Sequence, residues 1–218
     1  MLANSPYRVD RAAFLSDVGV IYRQEIADLV AAGCTYLQLD DVPSAVLCDP
    51  RNREIVRARG EDPEGLIDEY FELLRQTLKD LPPTVTLGVH LCRGNLGHGQ
   101  ASGGYDAVAE RLFDLPAHVF FLEYDTERAG GFEPLRHLPK SRVAVLGMIS
   151  PKLPELEPID GLRRRIDQAT RYVELDRLAI SPQCGFASSY TTTRFTRDDE
   201  ERKLAHLVAA ANAIWGSA

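Results

Sequence analysis

The chain has no apolar run approaching 18 residues, no surplus of positive charge and only four cysteines among 218 residues. Each shortage excludes something. Without such a run, no helix is expected to cross a bilayer. A formal net charge of −7, from 25 Lys and Arg against 32 Asp and Glu, argues against nucleic acid as a partner. Cysteines 34, 48, 92 and 184 are spaced too irregularly for a disulfide framework. They read as core thiols, metal ligands or nucleophiles. Met1-Leu2-Ala3-Asn4-Ser5-Pro6 lacks the basic and apolar stretches of a secretory signal, so a cytoplasmic location is expected. There are no heptads and no low-complexity segment. No Gly-Lys-Ser/Thr closes the glycines between 94 and 104 into a phosphate loop. What remains is a globular composition, 44% hydrophobic and 26% charged, sufficient for one sizeable core.

Strand-like and helix-like segments alternate along the chain. Phe14, Val18, Ile21, Tyr22, Ile26 and Val30 recur at helical steps over 11–32, and Gly33 stops the run. Tyr36 to Leu39 reads as a short strand ending at Asp40-Asp41. Residues 42–62, with Pro43, Pro50 and Gly60, read as an irregular loop. A helix over 64–80 ends at Pro82-Pro83. The second strand runs from Thr84 to Val89 and ends at His90. Residues 105–114 form a helix, His118 to Leu122 the third strand, ending at Glu123, and 131–138 a short helix. Val143 to Met148 is the fourth strand, 159–174 a helix, Arg177 to Ile180 the fifth strand, and 198–214 the last helix. This alternation predicts an α/β fold with parallel strands and helices packed outside them, a single domain spanning 1–218. In such folds chemistry gathers at the C-terminal ends of the strands, where Asp40, His90, Cys92, Glu123 and Cys184 all fall.

An imidazole, two thiolates and a carboxylate make a four-ligand set suited to Zn2+. His90 and Cys92, two residues apart at a strand end, point to one side. Glu123 and Cys184 follow 31 and 61 residues later, so a metal there would join several strands rather than staple a loop. A thiol bound to zinc loses its proton near neutral pH, which makes a nucleophile without a dedicated base. On residue types alone, a half-buried histidine, two core thiols and a helix-capping glutamate fit equally well.

Four stretches occur in order: Tyr36-Leu37-Gln38-Leu39-Asp40-Asp41, His90-Leu91-Cys92-Arg93-Gly94-Asn95, Phe121-Leu122-Glu123-Tyr124-Asp125 and Ser181-Pro182-Gln183-Cys184-Gly185-Phe186. Together they resemble the catalytic domain of cobalamin-independent methionine synthase and its shorter homologues. The resemblance implies a (β/α)8 TIM barrel. It implies zinc held by His90, Cys92, Glu123 and Cys184, and methyl transfer from a folate donor to homocysteine or a similar thiol. It also implies that Asp40 faces the substrate, as the catalytic aspartate that holds an amino group. Arg93 and Asn95 are candidates to bind a substrate carboxylate or sulfonate, and Asp41 to orient substrate or cap its loop.

Three departures qualify the transfer. Asp41-Val42-Pro43 replaces the family's carboxylate-Pro pair. Gly147-Met148-Ile149-Ser150-Pro151-Lys152 lacks the family's catalytic histidine. The Ser181-Pro182-Gln183-Cys184-Gly185-Phe186 and His90-Leu91-Cys92-Arg93-Gly94-Asn95 forms resemble a short branch in which zinc-bound coenzyme M thiolate opens an epoxide, the alternative reaction. Finally, only five βα units are expected, the last five, where a closed barrel takes eight and about 250 residues. The expected partners are a small-molecule thiol and an alkyl donor. A second chain or a second copy is expected to complete the barrel, unless the chain is a non-catalytic subunit or a fragment that requires a missing N-terminal half.

Overall fold

The computed structural model describes residues 5–7, 10–94, 101–187 and 195–216. Five strands, β1 (Tyr36–Asp41), β2 (Thr86–Leu91), β3 (Val119–Glu123), β4 (Val143–Ile149) and β5 (Leu178–Pro182), pair in sequence order as one parallel sheet. The register aligns Asp40 with His90, Leu91 with Leu122 and Glu123 with Gly147. The C-terminal strand ends therefore form a single edge. An irregularity between Gly147 and Ile149 offsets β4 from β5 there.

The two faces of the sheet differ. Leu87, Val89, Leu91, Phe120, Leu122, Ala144, Leu146, Met148 and Leu178 belong to one hydrophobic cluster with the covering helices. Those helices are α1 (Arg11–Ala31), α2 (Pro43–Val46), α3 (Pro50–Ala58), α4 (Pro63–Leu78), α5 (Ala109–Phe113), α6 (Ile159–Ala169) and α7 (Arg197–Trp215). Ile67 and Phe71 of α4 are fully buried there, each stabilising the fold by about 1.5–3 kcal/mol relative to exposure. On β1 exposure alternates residue by residue, leaving Tyr36, Gln38 and Asp40 on the exposed face. Among the described residues, β1 and β5 each pair on one side only.

The expected loop over 42–62 is corrected: it contains α2 and α3. Pro43 and Pro50 do not break these helices, because each stands in the first turn, where a backbone N–H has no intrahelical acceptor. Asp49 caps α3 by accepting from Arg51 N at 2.9 Å, and Gly60, at φ +79°, follows its end. The helix expected at 105–114 divides into a 3-10 turn, Tyr105–Ala107, and α5, and the one at 131–138 is a 3-10 segment, Glu133–His137. The apolar face expected on α1 is also corrected. Ile26 packs on the core, but Ile21 is 65% exposed and only Gly19 of the helix is buried. The reason is geometric: α1 lies against α4 beside the free edge of β1.

Candidate metal centre

β2 delivers His90 at its penultimate position, and Cys92 follows immediately after its end. Cys184 comes from the loop two residues beyond β5. Candidate ligand atoms of these three residues all lie within 4.8 Å of one another. Tetrahedral zinc with two sulfurs and one nitrogen needs separations of about 3.5–3.8 Å, so a modest contraction suffices. His90 Nε2 is buried without a hydrogen-bond partner, a costly state that a metal bond would relieve. The soft donor set and this orphaned nitrogen fit zinc. No disulfide joins the two sulfurs. The Cys92 thiol shares its proton with Cys184, which lowers the Cys184 pKa, and the His90 imidazole assists. The same bond, followed by burial, pushes Cys92 up.

Glu123 stands beside this trio rather than within it. It ends β3, is fully buried, and meets protein donors on both oxygens. Oε2 accepts the Arg93 backbone N–H at 3.0 Å and the Gln183 amide at 2.7 Å. Oε1 pairs with the Arg128 guanidinium and lies 3.7 Å from Lys152 Nζ. The Tyr105 hydroxyl fixes the Glu123 backbone, accepting its N–H at 2.8 Å and donating to its carbonyl at 3.1 Å.

Of the residues expected to meet substrate, Asp40 lies on the exposed face. It lines a cavity of about 270 Å³ with His90, Phe121, Ser181, Gln183 and Cys184. Its Oδ1 accepts the Gln38 amide at 2.9 Å. Asp41 is 2% exposed and accepts Ser44 N–H at 3.1 Å, the capping role. Burial raises its pKa against the opposing hydrogen bonds from Ser44 and Tyr70. The Arg93 guanidinium is 1% exposed, stacks 4.1 Å over the Tyr105 ring and donates to the Gly103 carbonyl. Its backbone N–H reaches Glu123. Asn95 lies outside the described residues.

Sequence reasoning missed Gln183, Lys152, Asp125 and Arg128. Lys152 Nζ donates to Asp125 Oδ2 at 2.5 Å and to Gln183 Oε1 at 2.9 Å. Burial chiefly lowers the Lys152 pKa, and the bond to Asp125 opposes the shift. Gln183 Nε2 faces Cys92 Sγ at 4.0 Å as well as Glu123. The only signal in the sequence was adjacency: Gln183 precedes Cys184, and Lys152 occupies the segment that lacks histidine.

Comparison with known proteins gives a consistent picture. The family described as cobalamin-independent synthase, catalytic domain, matches residues 1–213. The uncharacterised protein YxjG of Bacillus subtilis is 41% identical over 217 residues, 98% of this chain and 57% of that protein. The methionine synthase of Pyrococcus abyssi is 26% identical over 179 residues, 82% of this chain and 45% of its own length. A solved Listeria monocytogenes structure, provisionally named a vitamin-B12-independent methionine synthase, superposes with a TM-score of 0.71 at 32% identity. It is covered to 58%, and this chain to 98%. The B12-independent methionine synthase of Shewanella sp. W3-18-1, solved with selenomethionine, has a TM-score of 0.66 at 19% identity and covers 90% of this chain and 53% of its own. That last likeness is one of fold. This chain thus spans between 45% and 58% of the length of these proteins. The fold is of the TIM-barrel type, with five parallel strands among the described residues.

Proposed function

Because the chain belongs to the family of cobalamin-independent synthase catalytic domains, we propose that it carries the zinc centre of a thiol S-methyltransferase. A folate would be the donor and homocysteine or a similar thiol the acceptor. The observation that carries this reading is the convergence of His90, Cys92 and Cys184 from stretches 92 residues apart in sequence. These three would hold the metal, with Glu123 beside them as an exchangeable fourth ligand. Zinc bound there would act as a Lewis acid that keeps the acceptor thiol deprotonated near neutral pH.

The residues supply the rest. Asp40, on the cavity wall with His90 and Cys184, would hold the acceptor's amino group and aim its sulfur. In the reaction a sulfur–carbon bond forms as the donor's nitrogen–carbon bond breaks, and the donor nitrogen takes up a proton. Asn95, with Asp41 in support, would contribute to binding of the small molecules. The exposed face of β1 and the open flank of α1 support a second chain, or a second copy, that completes the wall around the substrates. Free cysteines suit a cytoplasmic setting, which forms part of the proposal.

One observation favours a second reading. Ile149 stands before Ser150-Pro151 where the resemblance calls for histidine, which suits epoxide opening by a small zinc-bound thiolate. The zinc-loaded chain, incubated with each donor, separates the alternatives by product. Methylated thiol from a methylfolate supports the first reading, and a thioether alcohol from an epoxide supports the second. Neither product, with zinc bound, would leave a non-catalytic metal-binding subunit.

A further inference from the structure

Gln183 is 1% exposed, and its amide has a forced orientation. An ammonium group only donates, so the atom facing Lys152 at 2.9 Å must be the amide oxygen. The amide nitrogen is thereby turned to Glu123 Oε2 at 2.7 Å and to Cys92 Sγ at 4.0 Å. Lys152 is itself fixed by Asp125 at 2.5 Å. The backbone is fixed too: Gln183 N donates to the Ile149 carbonyl at 2.8 Å. Gly147 makes room, since a Cβ there would lie 2.8 Å from Gln183 Cα.

A carboxylate that accepts charge-assisted and buried amide hydrogen bonds has less electron density to give to a metal. The Gln183 donor also draws on Cys92. We propose that Gln183, locked by Lys152, is a positioning residue that competes for Glu123 and so keeps the fourth metal position exchangeable for a substrate thiol. This rests on the metal-centre reading above. An ordinary supporting role would have the opposite signature: loss of a residue that orients ligands lowers metal affinity, typically 10–100-fold. Loss of a competitor does not lower it, and instead makes Glu123 harder to displace.

The test uses the full chain loaded with Co2+, with metal affinity read by competition with a chromophoric chelator. Thiol binding is read from the sulfur-to-cobalt charge-transfer band on titration with 2-mercaptoethanol. In Gln183→Met the expected result is thiol affinity about tenfold weaker, with metal affinity equal to or above that of the wild type. Metal affinity falling together with thiol affinity, or thiol affinity unchanged or stronger, overturns the proposal. Failure of the wild type to take up cobalt overturns the metal-centre reading as well. Cobalt uptake without any response to 2-mercaptoethanol overturns this inference alone. Should Gln183→Met lack a cooperative unfolding transition, Lys152→Met decides by the same criteria, since it releases the amide without removing it.

Discussion

The β2–β5 side of the strand edge and the β1 side are built differently. On the first, Glu123, Gln183 and the Asp125 carboxylate are buried, and their contacts with Arg93, Lys152 and one another cross between strand ends. On the second, the Asp40 carboxylate bonds only to its neighbour Gln38 among the described residues, Tyr36 is 46% exposed, and Ile21 of α1 is 65% exposed. A network of charges at low dielectric is rigid when every member is satisfied and costly when one is lost. An exposed aspartate on an open strand is neither. Under the proposed function, metal binding would belong to this chain by itself, whereas substrate binding would depend on what covers β1.

Substitutions on the two sides should separate these properties. The largest effect is expected from Gly147→Ala, whose Cβ would press on Gln183 Cα and, at 3.2 Å, on the Leu122 carbonyl. Backbone must shift, at a cost of about 1–3 kcal/mol in chemical denaturation, and zinc affinity should fall with it. A stability loss without any change in zinc affinity would show that the strand end leading into Cys184 does not position the metal. Asp40→Ala, on the open side, should leave zinc affinity unchanged and stability within about 0.5 kcal/mol. Its effect should fall on the acceptor, as a raised KM. Lost zinc in that variant would erase the distinction between the two sides.

Ile21→Asp should likewise stay within about 0.5 kcal/mol in stability. If α1 is covered by a second chain or copy, light scattering should show the mass of the assembly falling to that of one chain. The smallest effect concerns acid. Arg51, foremost, holds the Asp49 carboxyl well below the usual range, with help from Ser102. Since the folded pKa lies below an unfolded value of about 3.9, this contribution is present above that value and is lost as pH falls through the folded one. Asp49→Asn should therefore be less stable at neutral pH and show a shallower loss between about pH 4 and pH 2. An unchanged acid slope would remove Asp49 from that account.

Short apolar runs disclosed the five strands and their common edge, because β2 and β4 are buried almost throughout and the strand ends abut polar residues. His90, Cys92 and Cys184 were recognisable as residue types at those ends. The helices after β1 were not, because Pro43 and Pro50 read as breakers when their place in the first turn was unknown. The Gln183–Lys152–Asp125 chain was invisible for another reason. Its hydrogen bonds join residues 27 and 31 positions apart, and no local pattern marks a polar residue whose partner lies on another strand. Glu123 shows the same limit. Its position at a strand end was readable, but the four donors around it were not.

Zinc content of the full chain, measured after purification without chelator and compared with Cys184→Ser, tests the central claim most directly. The account predicts about one zinc per wild-type chain, with affinity reduced at least a hundredfold in the variant while the unfolding transition persists. A folded wild-type chain that binds no zinc, or binds it equally well without Cys184, would contradict it.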